Sequence, residues 1–187
     1  MTPTPTTEPA AVLARRHLLL HSLALLASAG VQAQGVPSAA QMERQAGDLP
    51  PVGTPLKLPD VPLLGGGQFQ AAQAQSQLTV VYWWASTCPF CAQQSPEMQK
   101  LWHNWQGKGL QMLALSVDRK PEDARAYLEK KGYTFPSGWV DAAVHRALPK
   151  PRGLPVTLVI GRDGRVLQAE RGQMFAEDVA QLSHWLK

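Results

Sequence analysis

Apolar residues along this chain switch between two periods, and the switching marks out its elements. Residues Leu78–Trp84 are β-branched and aromatic without a charge, which predicts a strand buried on both faces. From Pro89 to Trp105 the period lengthens. Met98, Leu101, Trp102 and Trp105 recur at three- and four-residue spacing, which predicts a helix. Pro89 suits its first turn, Pro96 falls inside it and predicts a kink, and Gly107 and Gly109 close it. A second apolar strand is predicted over 110–117, then a helix over 118–132 with Pro121 and Glu122 near its start and Gly132 past its end. Residues 141–148 predict a short helix and 155–160 a third strand. Gly161-Arg162-Asp163-Gly164 then reads as a hairpin turn, with its return strand over 165–170. The last element, over 175–186, is an amphipathic helix with Val179, Leu182 and Leu186 inward. Upstream, prolines interrupt the apolar stretch 56–64 and Gly65-Gly66-Gly67 ends it, which suits a short edge strand or hairpin. Strands alternating with helices make an α/β domain around a central mixed sheet.

The N-terminus follows a different logic. Residues 1–17 are rich in Pro and Thr and end in Arg15-Arg16-His17; an apolar run over 18–31 follows, then Val31-Gln32-Ala33. A positive start, a short apolar core and a small-residue site describe a secretory signal peptide over 1–33, which implies export. Fourteen residues fall short of the ~20 that span a bilayer comfortably, so an uncleaved membrane anchor is the second reading. The arginine pair hints at twin-arginine export, although paired arginines also suit an ordinary signal peptide. No cysteine follows the run, which excludes a lipoprotein anchor. Residues 34–54, rich in Gln, Ala, Pro and Gly, read as a flexible linker. That leaves 55–187 as the folded domain.

Composition and charge add exclusions. With 44% hydrophobic and 17% charged residues, the chain is globular in make-up. Its net charge of +4 is small and its Lys and Arg are scattered, so no basic stripe for nucleic acid is present.

The two cysteines change the picture most. Cys88 and Cys91 are the only pair, three positions apart. A bridge over two residues removes little chain entropy, so chemistry explains the pair better than stability does. A sharp turn after the strand places Cys88 at a helix N-terminus. Unpaired N–H groups and the helix dipole there favour its thiolate, the attacking species. Cys91, one turn along, is expected to be more buried. The implied cycle is attack by Cys88 on a disulfide, a mixed disulfide, and resolution by Cys91. It needs no cofactor. Pro89 removes one possible N–H donor to the Cys88 sulfur, and Phe90 adds no charge, which argues for an intermediate or reducing poise. Of the aromatic residues, Phe90 is the candidate for partner contact; Trp83, Trp84, Trp102 and Trp105 read as core. His103, His145 and His184 have no ligand-like spacing and no metal site is assigned. Two thiolates can still hold copper(I), so a copper chaperone remains an alternative. A thiol peroxidase would want Thr three residues before its cysteine, where this chain has Ala85.

The strand leading to Trp84-Ala85-Ser86, the motif Cys88-Pro89-Phe90-Cys91, Pro96, the later Gly153-Leu154-Pro155-Val156-Thr157 and the Arg162-Asp163-Gly164 turn resemble the thioredoxin superfamily. Within it, they resemble the TlpA/ResA-like periplasmic thiol–disulfide oxidoreductases. The resemblance implies a thioredoxin fold with an N-terminal β-hairpin near 56–70 and an insertion around 123–147. It also implies a cis Leu154–Pro155 bond beside the sulfurs, with the Leu154 backbone offered to a substrate strand. Three positions depart from the family: Thr87 where Trp is frequent, Tyr82 where thioredoxin keeps a buried acid, and Gln94 where ResA-like proteins often carry Glu. Glu97, a turn beyond Gln94, reads as a surface residue. The expected activity is reduction of disulfides in client proteins such as apocytochrome c or copper-site precursors. Electrons would come from a membrane donor of the DsbD type; an oxidase or isomerase role is the alternative direction.

Overall fold

The computed structural model describes residues 38–187; the signal peptide expected over 1–33 lies outside them. The elements run α1 (Ala39–Gln45), β1 (Val61–Pro62), β2 (Gln68–Phe69), α2 (Ala71–Ala74), β3 (Leu78–Trp84), α3 (Pro89–Trp105), β4 (Leu110–Ser116), α4 (Pro121–Lys131), β5 (Ser137–Trp139), α5 (Ala142–Ala147), β6 (Val156–Ile160), β7 (Val166–Arg171) and α6 (Ala176–Gln181), with a 3-10 turn at Leu182–Leu186. Five strands form one mixed sheet in the order β5-β4-β3-β6-β7. β3 pairs parallel with β4 and antiparallel with β6. This is the thioredoxin fold.

β3 sits in the middle of the sheet, and all seven of its residues are buried. Its side chains alternate between two apolar layers, as a pleated strand requires. Val81 and Trp83 join a cluster with Met42, Val61, Phe69, Val144 and Leu148, beneath α1, the β1–β2 hairpin and α5. Val80, Tyr82 and Trp84 join the opposite cluster with Cys91, Met98, Leu101, Ala124, Val179 and Leu182, from α3, α4, α6 and the 3-10 turn. Helices on both faces explain why this strand reads as an unbroken apolar run.

The antiparallel pairing of Val61 with Phe69 makes the expected N-terminal hairpin. It also covers the edge of the sheet, since Leu63 bridges Gly138 and the Leu64 amide donates to Ser137. α3 continues through Pro96 to Trp105. The expected 118–132 helix starts later, at Pro121, and ends on Gly132 at φ +66°, a left-handed cap that glycine adopts without strain. The expected closing helix splits into α6 and the 3-10 turn. β5, α1 and α2 had no sequence expectation; β5 and α5 fall within the stretch expected as an insertion.

The flexible linker expected over 34–54 is corrected for its described part. Ser38 caps α1 through a capping box, its hydroxyl accepting from the Gln41 amide while Gln41 accepts from the Ser38 amide. Met42 and Ala46 are buried against the domain. The folded unit therefore begins before Pro55. The segment is too polar to show a period, and what fixes it is contact with residues more than 100 positions away.

Candidate active site: the Cys88–Cys91 pair

β3 ends at Trp84, and the chain must then turn sharply to start α3 at Pro89. Asp118 shapes that turn. Its carboxylate accepts from the Ser86 amide at 3.0 and 3.1 Å, from the Ser86 hydroxyl at 2.7 Å and from the Ser116 hydroxyl at 2.7 Å. The Trp139 indole N–H donates to the Asp118 carbonyl at 2.8 Å, tying β5 to the same point. The helix expected over 118–132 puts Asp118 at its start. Its real place, at the end of β4 facing the turn, follows from the parallel β3–β4 pairing and has no local pattern.

Cys88 is the N-cap of α3, with extended backbone angles, and Pro89 occupies the first helical turn. The two cysteines form a disulfide. The Cys88 sulfur accepts from the Cys91 amide at 3.1 Å, as the helix N-terminus allows. Cys88 is half-buried, whereas Cys91 is 1% exposed and packs in the α3 layer. Phe90, between them, is 55% exposed. Trp83 and Trp84 are fully buried.

The Leu154–Pro155 bond is cis. Val156 pairs with Trp83, so the antiparallel register continues toward Trp84 and Ala85 and brings Leu154 and Pro155 to the end of the sheet that carries the cysteines. Leu154 is half-buried and Pro155 buried. Both Cys88 and Leu154 border the two apolar clusters at once. Cys88, Cys91, Phe90, Leu154 and Pro155 thus share one end of the sheet.

Two of the three departing positions, Tyr82 and Gln94, have definite partners, whereas Thr87 is exposed. Tyr82 is buried, and its hydroxyl lies 3.0 Å from the Ser95 hydroxyl and donates to the Cys91 carbonyl at 3.3 Å. Burial pushes this phenol well above its ordinary value, so it stays neutral where thioredoxin keeps an acid. Gln94 is also buried. It donates to the Thr157 hydroxyl at 3.0 Å and accepts from the Met174 amide at 2.8 Å, joining α3 to β6 and to the approach of α6. Glu97 pairs with Lys100 at 2.9 Å on the same helix. No carboxylate hydrogen-bonds to Cys91 among the described residues.

Comparison with known proteins agrees with this geometry. The pattern of the AhpC/TSA family matches residues 52–169. ResA thiol–disulfide oxidoreductases are similar: that of Geobacillus thermodenitrificans is 27% identical over 120 residues, 63% of this chain and 68% of that protein. That of Halalkalibacterium halodurans is 21% identical over 125 residues, 66% and 70% respectively. A Chlorobium tepidum protein assigned as the thiol:disulfide interchange protein DsbE superposes with a TM-score of 0.62 at 25% identity, covering 73% of this chain and all of that one. A thioredoxin-family thiol:disulfide interchange protein from Chlorobium tepidum superposes with a TM-score of 0.67 at 20% identity, over 74% and 99% of the two chains. The chain belongs to the AhpC/TSA family of thioredoxin-fold proteins, and it is a thiol–disulfide oxidoreductase of the TlpA/ResA-like kind.

Proposed function

We propose that this protein is exported to the periplasm by its first 33 residues and there reduces disulfides in client proteins. The observation that carries the reading is the half-buried Cys88 at the helix N-terminus above a buried Cys91. In the reduced protein the Cys88 thiolate attacks one client sulfur, forming a mixed disulfide and releasing the other client sulfur as a thiolate. Cys91 then loses its proton and attacks the Cys88 sulfur. The second client thiolate leaves, and the Cys88–Cys91 disulfide remains, with two electrons delivered to the client. The Cys91 amide, which points at the Cys88 sulfur, stabilises charge there when Cys88 is the leaving or attacking group.

Phe90 offers an apolar contact beside the reactive sulfur, and the Leu154 backbone before Pro155 offers an edge for an extended client strand. A membrane dithiol donor of the DsbD type returns the pair to its reduced form, since the periplasm has no reducing buffer of its own. Apocytochrome c and copper-site precursors are the client classes that need such reduction.

The direction is tested by the reduction potential of the pair. A value nearer about −270 mV than about −120 mV supports a reductase; one at the oxidant end reverses the assigned flow. Cys88→Ala is expected to abolish exchange, and Cys91→Ala to accumulate a mixed disulfide with the client. If no mixed disulfide accumulates, the roles given to the two cysteines are wrong. Anaerobic copper(I) titration separates the chaperone reading, which requires tight binding by the reduced pair.

A further inference from the structure

Helix α1 and the turn before the cis-proline are far apart in sequence but closed together by polar contacts. The Lys150 side chain is 2% exposed, and its ammonium donates to Glu43 Oε2 at 2.8 Å, the Pro151 carbonyl at 2.7 Å and the Gly153 carbonyl at 2.8 Å. The other carboxylate oxygen, Glu43 Oε1, accepts from the Gly153 amide at 2.9 Å. One carboxylate thus grips both ends of the turn from Lys150 to Gly153. Arg152 adds two more ties to the arm, its amide to the Gly47 carbonyl at 2.9 Å and its guanidinium to the Ala46 carbonyl at 3.3 Å.

The far side of the turn is held as well. Gly153 has φ +89°, and a Cβ there would come within 3.1 Å of the Arg171 side chain. Past the cis bond, the Pro155 carbonyl accepts from the Gly172 amide at 2.9 Å. Leu154 therefore lies between a turn clamped by α1 and a strand start clamped by β7.

Stability alone does not account for this arrangement. An apolar side chain of similar volume at position 150 would serve the core as well as a buried, paired ammonium. What the ammonium adds is direction: all three of its donors are used, and they fix two carbonyls and one carboxylate relative to each other. Burial works to raise the Glu43 pKa, but the hydrogen bonds from Lys150 and the Gly153 amide outweigh it and hold the group below its ordinary value.

We propose that Glu43 and Lys150 are positioning residues, which hold the Leu154 backbone in the geometry that receives a client strand. The docked α1 then tunes client recognition from outside the cysteine motif. The inference rests on the proposed exchange cycle and concerns client affinity rather than the sulfur chemistry.

The test compares Glu43→Ala, Glu43→Gln and Lys150→Met with the wild type in the reduced full-length protein. Two substrates are used in single turnover, a disulfide-bonded peptide and a small aromatic disulfide that has no strand to dock. In Glu43→Ala and Lys150→Met the ratio of peptide to small-disulfide rate constants is expected to fall about tenfold, the effect of losing one charge-assisted hydrogen bond. The loss should lie in the half-saturating peptide concentration rather than the maximal rate. Glu43→Gln keeps one acceptor oxygen, enough for the Gly153 amide but not for that amide and the Lys150 ammonium together, and should recover only part of it. An unchanged ratio in both variants overturns the inference, as does an equal loss on both substrates, which marks a structural role alone. A wild-type protein inert toward both substrates refutes the exchange cycle itself, and this inference with it.

Discussion

Asp118 holds three donors on one carboxylate, and all three belong to the turn that presents Cys88 or to the strand beside it. Asp118→Asn keeps the shape but turns an NH2 group toward donors, and it is expected to cost about 1–3 kcal/mol in urea unfolding. Tyr82→Phe removes a hydroxyl shared by Ser95 and the Cys91 carbonyl, for a cost of about 1 kcal/mol. Because burial keeps that phenol neutral, the pH profile of disulfide exchange should be the same in wild type and Tyr82→Phe. A profile that moves in the variant would make Tyr82 the proton acceptor for Cys91. Glu43 gives a pH dependence of known sign. Its folded-state pKa is lowered from 4.5 despite burial, by Lys150 and the Gly153 amide. The stability it adds is therefore complete above about pH 4.5 and is lost as pH falls through the lower folded value. The stability difference between wild type and Glu43→Gln should shrink between pH 6 and pH 3. Of these residues, Cys88 and Cys91 were legible because their chemistry is carried by spacing. Asp118, Glu43 and Lys150 were not, because their partners are set by pairing across the sheet or over long separations.

Elements with a long run of one period were legible, and short ones were not. β3, α3, β4, α4, α5, β6 and β7 follow the expected segments, with ends shifted by up to three residues at α4. β5 has three residues, one of them glycine, and gains its place only by pairing with β4 on one side and carrying the hairpin on the other. Gly138 shows how tightly that edge is closed. A Cβ there would collide with the Val61 side chain and approach the Pro62 carbonyl at 3.1 Å. Gly138→Ala is expected to destabilise the protein by about 1–3 kcal/mol, measured by denaturant midpoint, because β-branched Val61 has no room to turn away. α1 had one readable mark, the Ser38–Gln41 capping box, in a segment whose polar composition otherwise reads as linker.

Across the whole molecule, two apolar layers on either side of one sheet hold the cysteine turn and the cis-proline at the same end. A redox pair in that position has to change state without remaking the fold. Reducing it opens a loop of only three residues' separation, so the unfolding free energy should change by no more than about 2 kcal/mol, as read by denaturation with and without dithiothreitol. A much larger loss would mark a structural bridge instead. The class of fold, the reactive pair and the family likeness all lie in local pattern: an uncharged β-branched run, a helix opened by proline, two cysteines at fixed spacing and a proline at the start of a later apolar strand. These need no knowledge of what touches what, since period and spacing follow from backbone geometry alone. The turn held by Asp118, the clasp of Gln94 between α3 and β6, and the grip of Glu43 on Lys150 join residues that the chain separates. Such contacts exist only after the sheet has paired and its two layers have closed, because a polar group declares its partner when burial leaves it no water to choose instead.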